Sequence, residues 1–207
     1  MKEKEEERLK KLKELDNFYY DKGINYIAGI DEAGRGPLAG PVVVACVIMK
    51  KDSMIEGIND SKKVTENRRE KLYELITNEA IAFSTSIINH DVIDEINILN
   101  ATKLGVTKCI ESISKKPELI LIDALNNIDT KGIKFESIIK GDAKSYLIAA
   151  ASIVAKVTRD RIMRQWDEIY PEYGFEKHKG YGTKAHIEAI KEFGLCSIHR
   201  RSFTKKF

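Results

Sequence analysis

The chain has 207 residues, 43% apolar and 32% charged, a size that fits one large domain or two small ones with a buried core. Its longest uninterrupted apolar run, Val42 to Met49, is eight residues, far short of the ~20 that a membrane-spanning helix needs. Three cysteines without a C-x-x-C pair (Cys46, Cys109, Cys196) and an acid-rich opening, MKEKEEERLK, give no disulfide framework, structural zinc site or export signal, so the cytosol is the expected compartment.

Residues 1 to 22 carry seven Lys/Arg and seven acids, with Leu9, Leu12, Leu15 and Tyr19 spaced along one helical face that stops near Gly23. This charged arm is expected to dock on the body or fray, and no chemistry is assigned to it. Asn25 to Ile30 reads as a strand, Ala33 to Gly40 as a Gly-rich turn, and Pro41 to Met49 as a Val-rich strand. After a break at Asn59 to Lys63, Thr65 is placed to cap a helix running to Glu79. Ala82 to Ile88 alternates like a third strand. A short helical turn around Asp91 precedes a helix over Ile98 to Ser114, which Pro117 closes off.

Glu118 to Ala124, ELILIDA, has the apolar run of a strand buried on both faces. Phe135 to Lys140 reads as a weaker strand. From Asp142 to Trp166 the pattern is helical, with a small-residue patch (Ala149, Ala150, Ala151, Ser152, Ala155) that admits close approach of another element. Thr183 to Phe193 is a last helix. Strands in succession followed by alternating helices and strands predict an α/β protein with a mixed sheet and helices on its faces. Net charge is +3, but from Gly174 onward eight basic residues face three acids, a local +5. That end is either a solvated face or a surface for an anionic ligand.

Four acids stand where an acid is costly or exposed to a turn. Asp123 lies inside LILIDAL, where an ionised carboxylate costs several kcal/mol unless something pairs with it; a Lys or Arg partner would answer that cost. Asp31 and Glu32 sit where an apolar strand runs into a glycine turn, and ligand sites in α/β sheets favour such strand ends. Asp142 follows Gly141 at a helix start, where an N-cap role is also open to it. Carboxylates converging on one site would repel by roughly 4 kcal/mol per pair at ~4 Å and an effective dielectric of about 20. They would need cations, and oxygen-only donors suit Mg²⁺ or Mn²⁺, ions used in pairs for in-line phosphoryl transfer.

Gly34-Arg35-Gly36 can bring backbone N–H groups against a ligand, although it fits neither familiar nucleotide-binding loop. Tyr181, in HKGYGTKAH, is an aromatic ring among glycines and bases, suited to stacking on a sugar or base, or else to packing over the core edge. His178, His186 and His199 lack any zinc-motif spacing, and no Ser or Cys sits in a nucleophile motif.

Taken as a set, these stretches resemble bacterial ribonuclease HII. The segments are GIDEAGRGPLAGPVV (Gly29 to Val43), NDSKKVT (Asn59 to Thr65), LILIDAL (Leu119 to Leu125), KGDAKSYLIAAASIVAKVTRD (Lys140 to Asp160), HKGYGT (His178 to Thr183) and HRRSF (His199 to Phe203). Their order and number make the signal specific, and they span Tyr26 to about Phe203. The resemblance implies an RNase H-like mixed five-stranded sheet flanked by helices, with a helical C-terminal region that binds substrate. Residues 1 to 22 would form the arm and 23 to 207 the catalytic domain.

The implied activity is hydrolysis of the RNA strand of RNA/DNA hybrids and cutting on the 5′ side of ribonucleotides embedded in duplex DNA. The ends left would be 3′-hydroxyl and 5′-phosphate. Asp31, Glu32, Asp123 and Asp142 would hold two Mn²⁺ or Mg²⁺ ions. Gly34, Arg35 and Gly36 would sense the 2′-hydroxyl, the group that separates RNA from DNA, and Tyr181 would stack on the deoxyribose that follows. Lys62, Lys144, Arg200 and Arg201 are candidates for phosphate contacts.

A monomer and a role in ribonucleotide removal are the matching expectations, with a non-catalytic nucleic-acid-binding module as the alternative. The sibling type HIII family carries an extra N-terminal substrate-binding domain and lacks the arginine in its glycine turn, whereas this chain reads GRG. Because strand neighbours point to opposite faces, Asp31 and Glu32 sharing one site requires the strand to end or bulge there.

Overall fold

Alternation along the apolar strands fixes a sheet covered on both faces. In the computed structural model, which describes residues 3–206, β1 (Ile27–Ala33), β2 (Val42–Ile48) and β3 (Ala82–Ile88) form an antiparallel meander. β4 (Leu119–Asp123) and β5 (Lys134–Ile138) add in parallel on the other side of β1, giving the order β3-β2-β1-β4-β5. Side chains of Ile27, Ala45, Val47, Leu119 and Leu121 join one core with the helix α5 (Tyr146–Ile169). Ala28, Ile30, Val44, Cys46, Ile120 and Ile122 join the other, under α4 (His90–Ser112). β2 lies inside both layers and is buried at every position, as its unbroken apolar run predicts.

The small-residue patch on α5 is buried throughout. β1 crosses the first turn of α5, just ahead of that patch, so closely that a Cβ on Gly29 would come within 2.1 Å of the Leu147 carbonyl carbon, so any side chain there would force helix and sheet apart. α3 (Glu66–Glu79) packs along α5. A third core joins Met163 of α5 to Tyr173, Phe175 of α6 (Phe175–His178), Ile190 of α7 (Lys184–Phe193) and Ile198, and forms the helical C-terminal region. No helix among the described residues is long and apolar enough to cross a membrane.

The arm docks. It is two helices, α1 (Glu3–Leu12) and α2 (Glu14–Tyr20), broken at Lys13, and Leu9, Leu12, Tyr19 and Tyr20 are buried in the α5-side core. At the break the Lys13 ammonium donates to the Lys51 and Ser53 carbonyls at 2.7 Å each. Asp16 accepts from Ser145 Oγ at 2.6 Å and from the Tyr146 and Leu147 N–H groups at 2.8 and 3.3 Å. A residue from the arm thus satisfies first-turn donors of α5, although burial pushes its carboxyl up to about 7.

Two helix starts differ from expectation. Thr65 occupies the cap position of α3 but its side chain makes no capping bond. Asp142 is not the cap of the long helix; Ser145 is, accepting from Ile148 N at 3.2 Å. The turn around Asp91 and the helix from Ile98 are distinct, as the spacing predicts: Asn97, with φ 67°, parts them, and its side chain caps the second by accepting from Asn100 N at 3.0 Å.

Candidate functional site

The β1–β4 ladder fixes where the acids meet. Its last pair is Ile30 with Ile122, so Asp31 and Asp123 are the next positions on adjacent parallel strands and share the α5 face by alternation. Asp123 Oδ1 accepts from Gly141 N at 2.7 Å, which draws in the 3₁₀ turn that carries Asp142 (Gly141–Ala143). Carboxylate oxygens of Asp31, Asp123 and Asp142 lie within 4.8 Å of one another.

At that spacing each pair of ionised groups repels by about 3 kcal/mol at an effective dielectric of about 20. Burial, then the charges of Glu32 and Asp123, hold the Asp31 carboxyl well above the usual carboxylate range. Asp142 is raised by burial, then by the charges of Asp60 and Asp123, against the pull of Lys62. Burial would lower the Lys62 ammonium, but Asp60, Asp142, Asp31 and Asp123 together raise it.

Glu32 stands apart from that trio. The strand neither ends nor bulges at Asp31: the ladder with β2 runs on through Asp31–Ala45, Glu32–Val44 and Ala33–Val43. Period two therefore sends Glu32 to the other face, where its side chain lies 3.5 Å from Arg35. Burial raises its carboxyl, with Arg35 opposing and Asp123 adding to the rise. Glu32 still lines the cavity of about 180 Å³ that Asp31 opens into, together with Gly34, Arg35, Gly36, Lys62 and Tyr181.

The glycine turn is held from below by two buried arginines. Arg159 donates to the carbonyls of Pro41, Lys179 and Ala39, and Arg200 to those of Gly40, Arg35 and Gly34. Gly34 has φ +100°, and a Cβ there would meet Arg159 Nε at 2.1 Å, so both conformation and space require glycine. Tyr181 is 44% exposed at the cavity edge, and a Cβ on Gly36 would just touch its ring at 3.7 Å.

Behind Tyr181 runs a relay of imidazoles. Cys196 N donates to His199 Nδ1 at 3.0 Å, His199 Nε2 lies 3.0 Å from His186 Nε2, and His186 Nδ1 lies 2.9 Å from the Tyr181 carbonyl. Since Cys196 N–H fills His199 Nδ1, the bonding assigns the protons to His199 Nε2 and His186 Nδ1. Burial lowers both rings to about 4, so both stay neutral and the relay ends on the Tyr181 backbone.

Of the basic candidates, Lys62 reaches the cavity. Lys144 lines a separate groove beside the arm. Arg201 is exposed, with its backbone N–H on Asp94. Arg200 is a correction: it is fully buried, with its guanidinium spent on three carbonyls, so it holds the turn and does not face a phosphate. Asp60 and Lys156 were missed as site residues. Asp60 lies in the matched segment Asn59 to Thr65 and Lys156 in the matched segment Lys140 to Asp160, but Lys156 lines the cavity from mid-helix, where no turn or strand end marks it.

A mixed five-stranded sheet in this order, with carboxylates meeting at the C-terminal ends of its central parallel pair, defines an RNase H-like protein. The family model "Ribonuclease HII" matches residues 28–206. A "Ribonuclease HII" from Clostridioides difficile (strain 630) is 56% identical over 202 residues, covering 98% of this chain and 79% of that one. One from Acetivibrio thermocellus is 55% identical over 212 residues, covering 98% and 82%. The crystal structure of the ribonuclease H2 from Pyrococcus horikoshii OT3 superposes with a TM-score of 0.73 at 28% identity, covering 86% of this chain and 94% of that one. The chain belongs to the ribonuclease HII family, whose members are endoribonucleases.

Proposed function

We propose that this chain cuts the RNA strand of RNA/DNA hybrids, and cuts 5′ of a ribonucleotide embedded in duplex DNA, leaving 3′-hydroxyl and 5′-phosphate ends. The observation that carries the reading is one cavity in which Asp31 and Glu32 adjoin the Gly34–Gly36 turn and Tyr181, with Asp123 and Asp142 converging on Asp31. Three mutually repelling carboxylates with Lys62 beside them fit divalent cations, and their oxygen-only donors suit Mg²⁺ or Mn²⁺. Asp31, Asp123 and Asp142 would hold the metal, with Glu32 as the fourth carboxylate at the border. When bound, such ions supply Lewis-acid activation of water and charge stabilisation at the leaving oxygen.

The protein's own groups do the selecting. The N–H groups of residues 34 to 36 and the Gly36 carbonyl, in a turn that Arg200 holds through the Gly34 and Arg35 carbonyls, are at hand for a 2′-hydroxyl, the one feature that marks RNA at a given position. Tyr181 offers an exposed ring for the following deoxyribose, and Lys62 a cation for the scissile phosphate. The free cysteines fit a cytosolic enzyme, for which ribonucleotide removal from DNA as a monomer is the simplest role.

The test is a duplex with one embedded ribonucleotide beside an all-DNA control, in Mn²⁺ or Mg²⁺ and then in chelator. Cutting 5′ of the ribonucleotide, lost in chelator, with the control intact, is the expected result. Cutting of both duplexes would remove the role given to Gly34–Gly36, and no cutting by folded protein would remove the catalytic reading. Tyr181→Ala should change stability by less than about 1 kcal/mol, because the ring is exposed, while cleavage at a single ribonucleotide weakens about tenfold through lost stacking. Unchanged cleavage with a lower melting temperature would return Tyr181 to a packing role.

A further inference from the structure

The arm is built into the molecule at the segments that deliver two acids to the site. Glu5 accepts from Gly57 N at 2.8 Å and Arg8 donates to the Ile58 carbonyl at 2.8 Å, just before Asp60. Asp16 satisfies the first turn of α5, just after Asp142. Between the arm and the 59–63 turn runs a groove of about 400 Å³. Arg8, Lys11, Lys63 and Lys144 line it, and Glu14 is the sole acid on its wall among the described residues.

This groove adjoins the carboxylate cavity. Ser61 and Lys62 of the turn face the cavity, while Asn59 and Lys63 face the groove, so the turn is a partition with one space on each side. Ala143 and Lys144, in the groove wall, directly follow Asp142. Arg8 is paired with Glu5 at 2.7 Å. Among the described residues Lys11, Lys63 and Lys144 have no carboxylate within 4 Å. Three unpaired ammonium groups around one groove repel each other, and among the described residues Glu14 is the one acid on its wall to set against them. A chain of phosphates offsets that repulsion, and phosphate contacts are how a protein fixes its register on a nucleic acid.

We infer that the groove between the arm and the 59–63 turn is a second phosphate-backbone subsite, in which Lys11, Lys63 and Lys144 hold the substrate strand on the side of the carboxylates away from Tyr181. The inference rests on the cleavage reading above and gives the arm a task within it. The groove lengthens the footprint, so it acts on long duplexes and is idle on short ones. Its contacts lie away from the reacting atoms, so they contribute uniform binding, which sets KM and leaves kcat alone.

The test uses the full chain with Lys11→Glu, and Lys10→Glu as a control with the same charge change one residue away. Lys10 pairs with Glu6 at 2.8 Å and lies outside the groove. On a long duplex with a central ribonucleotide, Lys11→Glu should raise KM about fivefold at low salt. It should also flatten the slope of log KM against log salt by about 0.9, with kcat and melting temperature unchanged. On a duplex truncated shortly 5′ of the ribonucleotide it should match wild type, and Lys10→Glu should match wild type on both. Equal KM for the two variants on the long duplex, or the same Lys11→Glu effect on the truncated one, overturns the subsite. Anisotropy of the same duplexes in chelator reads binding without turnover. A wild type that binds but does not cut would defeat the cleavage reading, while a loss of affinity confined to Lys11→Glu would still support the groove.

Discussion

Asp123→Asn is expected to fold, to melt higher than wild type in chelating buffer at neutral pH, and to lose at least about a thousandfold in cleavage rate, ~4 kcal/mol of transition-state stabilisation. The amide matches the carboxylate in shape and keeps an oxygen for Gly141 N, which Asp123 accepts at 2.7 Å, so the turn carrying Asp142 stays in place. What is lost is one of three negative charges whose oxygens lie within 4.8 Å of one another. Asp31 and Asp142 are both raised above their ordinary values, so the folded chain holds protons there that the unfolded chain has shed. Stability from such groups is complete below the ordinary carboxylate pKa of about 4 and falls as pH rises through the raised values. Removing the Asp123 charge lessens that fall. The gain in melting temperature should therefore be present at neutral pH and vanish near about pH 4. Mn²⁺ should raise the melting temperature of wild type more than that of the variant. Melting curves across pH, with and without chelator, beside single-turnover cleavage, check each part. Wild-type cleavage by the variant would sink the carboxylate assignment.

The same physics separates what could be read from the residues from what could not. Charges inside apolar strands mark Asp31 and Asp123 as costly, and that cost is local, so the sequence displays it. Their meeting depends on the register of β1 against β4, set between segments about ninety residues apart, and no local pattern encodes a register. Asp142 misleads for a related reason. An acid after a glycine looks like a helix cap, but Lys140 in the left-handed region, with φ 57°, turns the chain into a 3₁₀ turn, and the helix waits for Ser145. For Glu32 the period-two rule was the better guide. β2 pairs with β1 as far as Ala33, while β4 stops pairing at Ile30, so the strand stays regular and the site opens on one side of it. The arm reads as a charged helix because its apolar spacing is evident. Its task of closing the first turn of α5 is not, since Ser145 lies 129 positions from Asp16.

Arg200→Met should cost about 3 to 4 kcal/mol of stability and with it most of the cleavage. Its guanidinium is fully buried and donates to the Gly40, Arg35 and Gly34 carbonyls at 2.9, 2.9 and 2.6 Å. Methionine fills similar space but leaves the buried Gly40 and Gly34 carbonyls and the half-buried Arg35 carbonyl without their donors, at about 1 to 3 kcal/mol for each buried acceptor. Part of that is offset because the cation itself is strained: burial, then the neighbouring Arg159, lowers its pKa to about 9. The net loss should appear as a fall of about 10 °C in melting temperature. Lysine should recover little, because one ammonium cannot supply the fork that three carbonyls need. A contact between Arg200 and a substrate phosphate predicts a different pattern: melting temperature unchanged and the salt slope of log KM reduced by about 0.9. If the arginine instead holds the turn, melting temperature and kcat fall together, the salt slope stays, and the backbone amides of residues 34 to 36 exchange faster with solvent. The two patterns share no feature, so one melting curve and one salt series decide between them. The buried assignment makes Arg200 the reason that Gly34, Arg35 and Gly36 are in place before any nucleic acid arrives, which is what discrimination by a single hydroxyl demands of a rigid backbone.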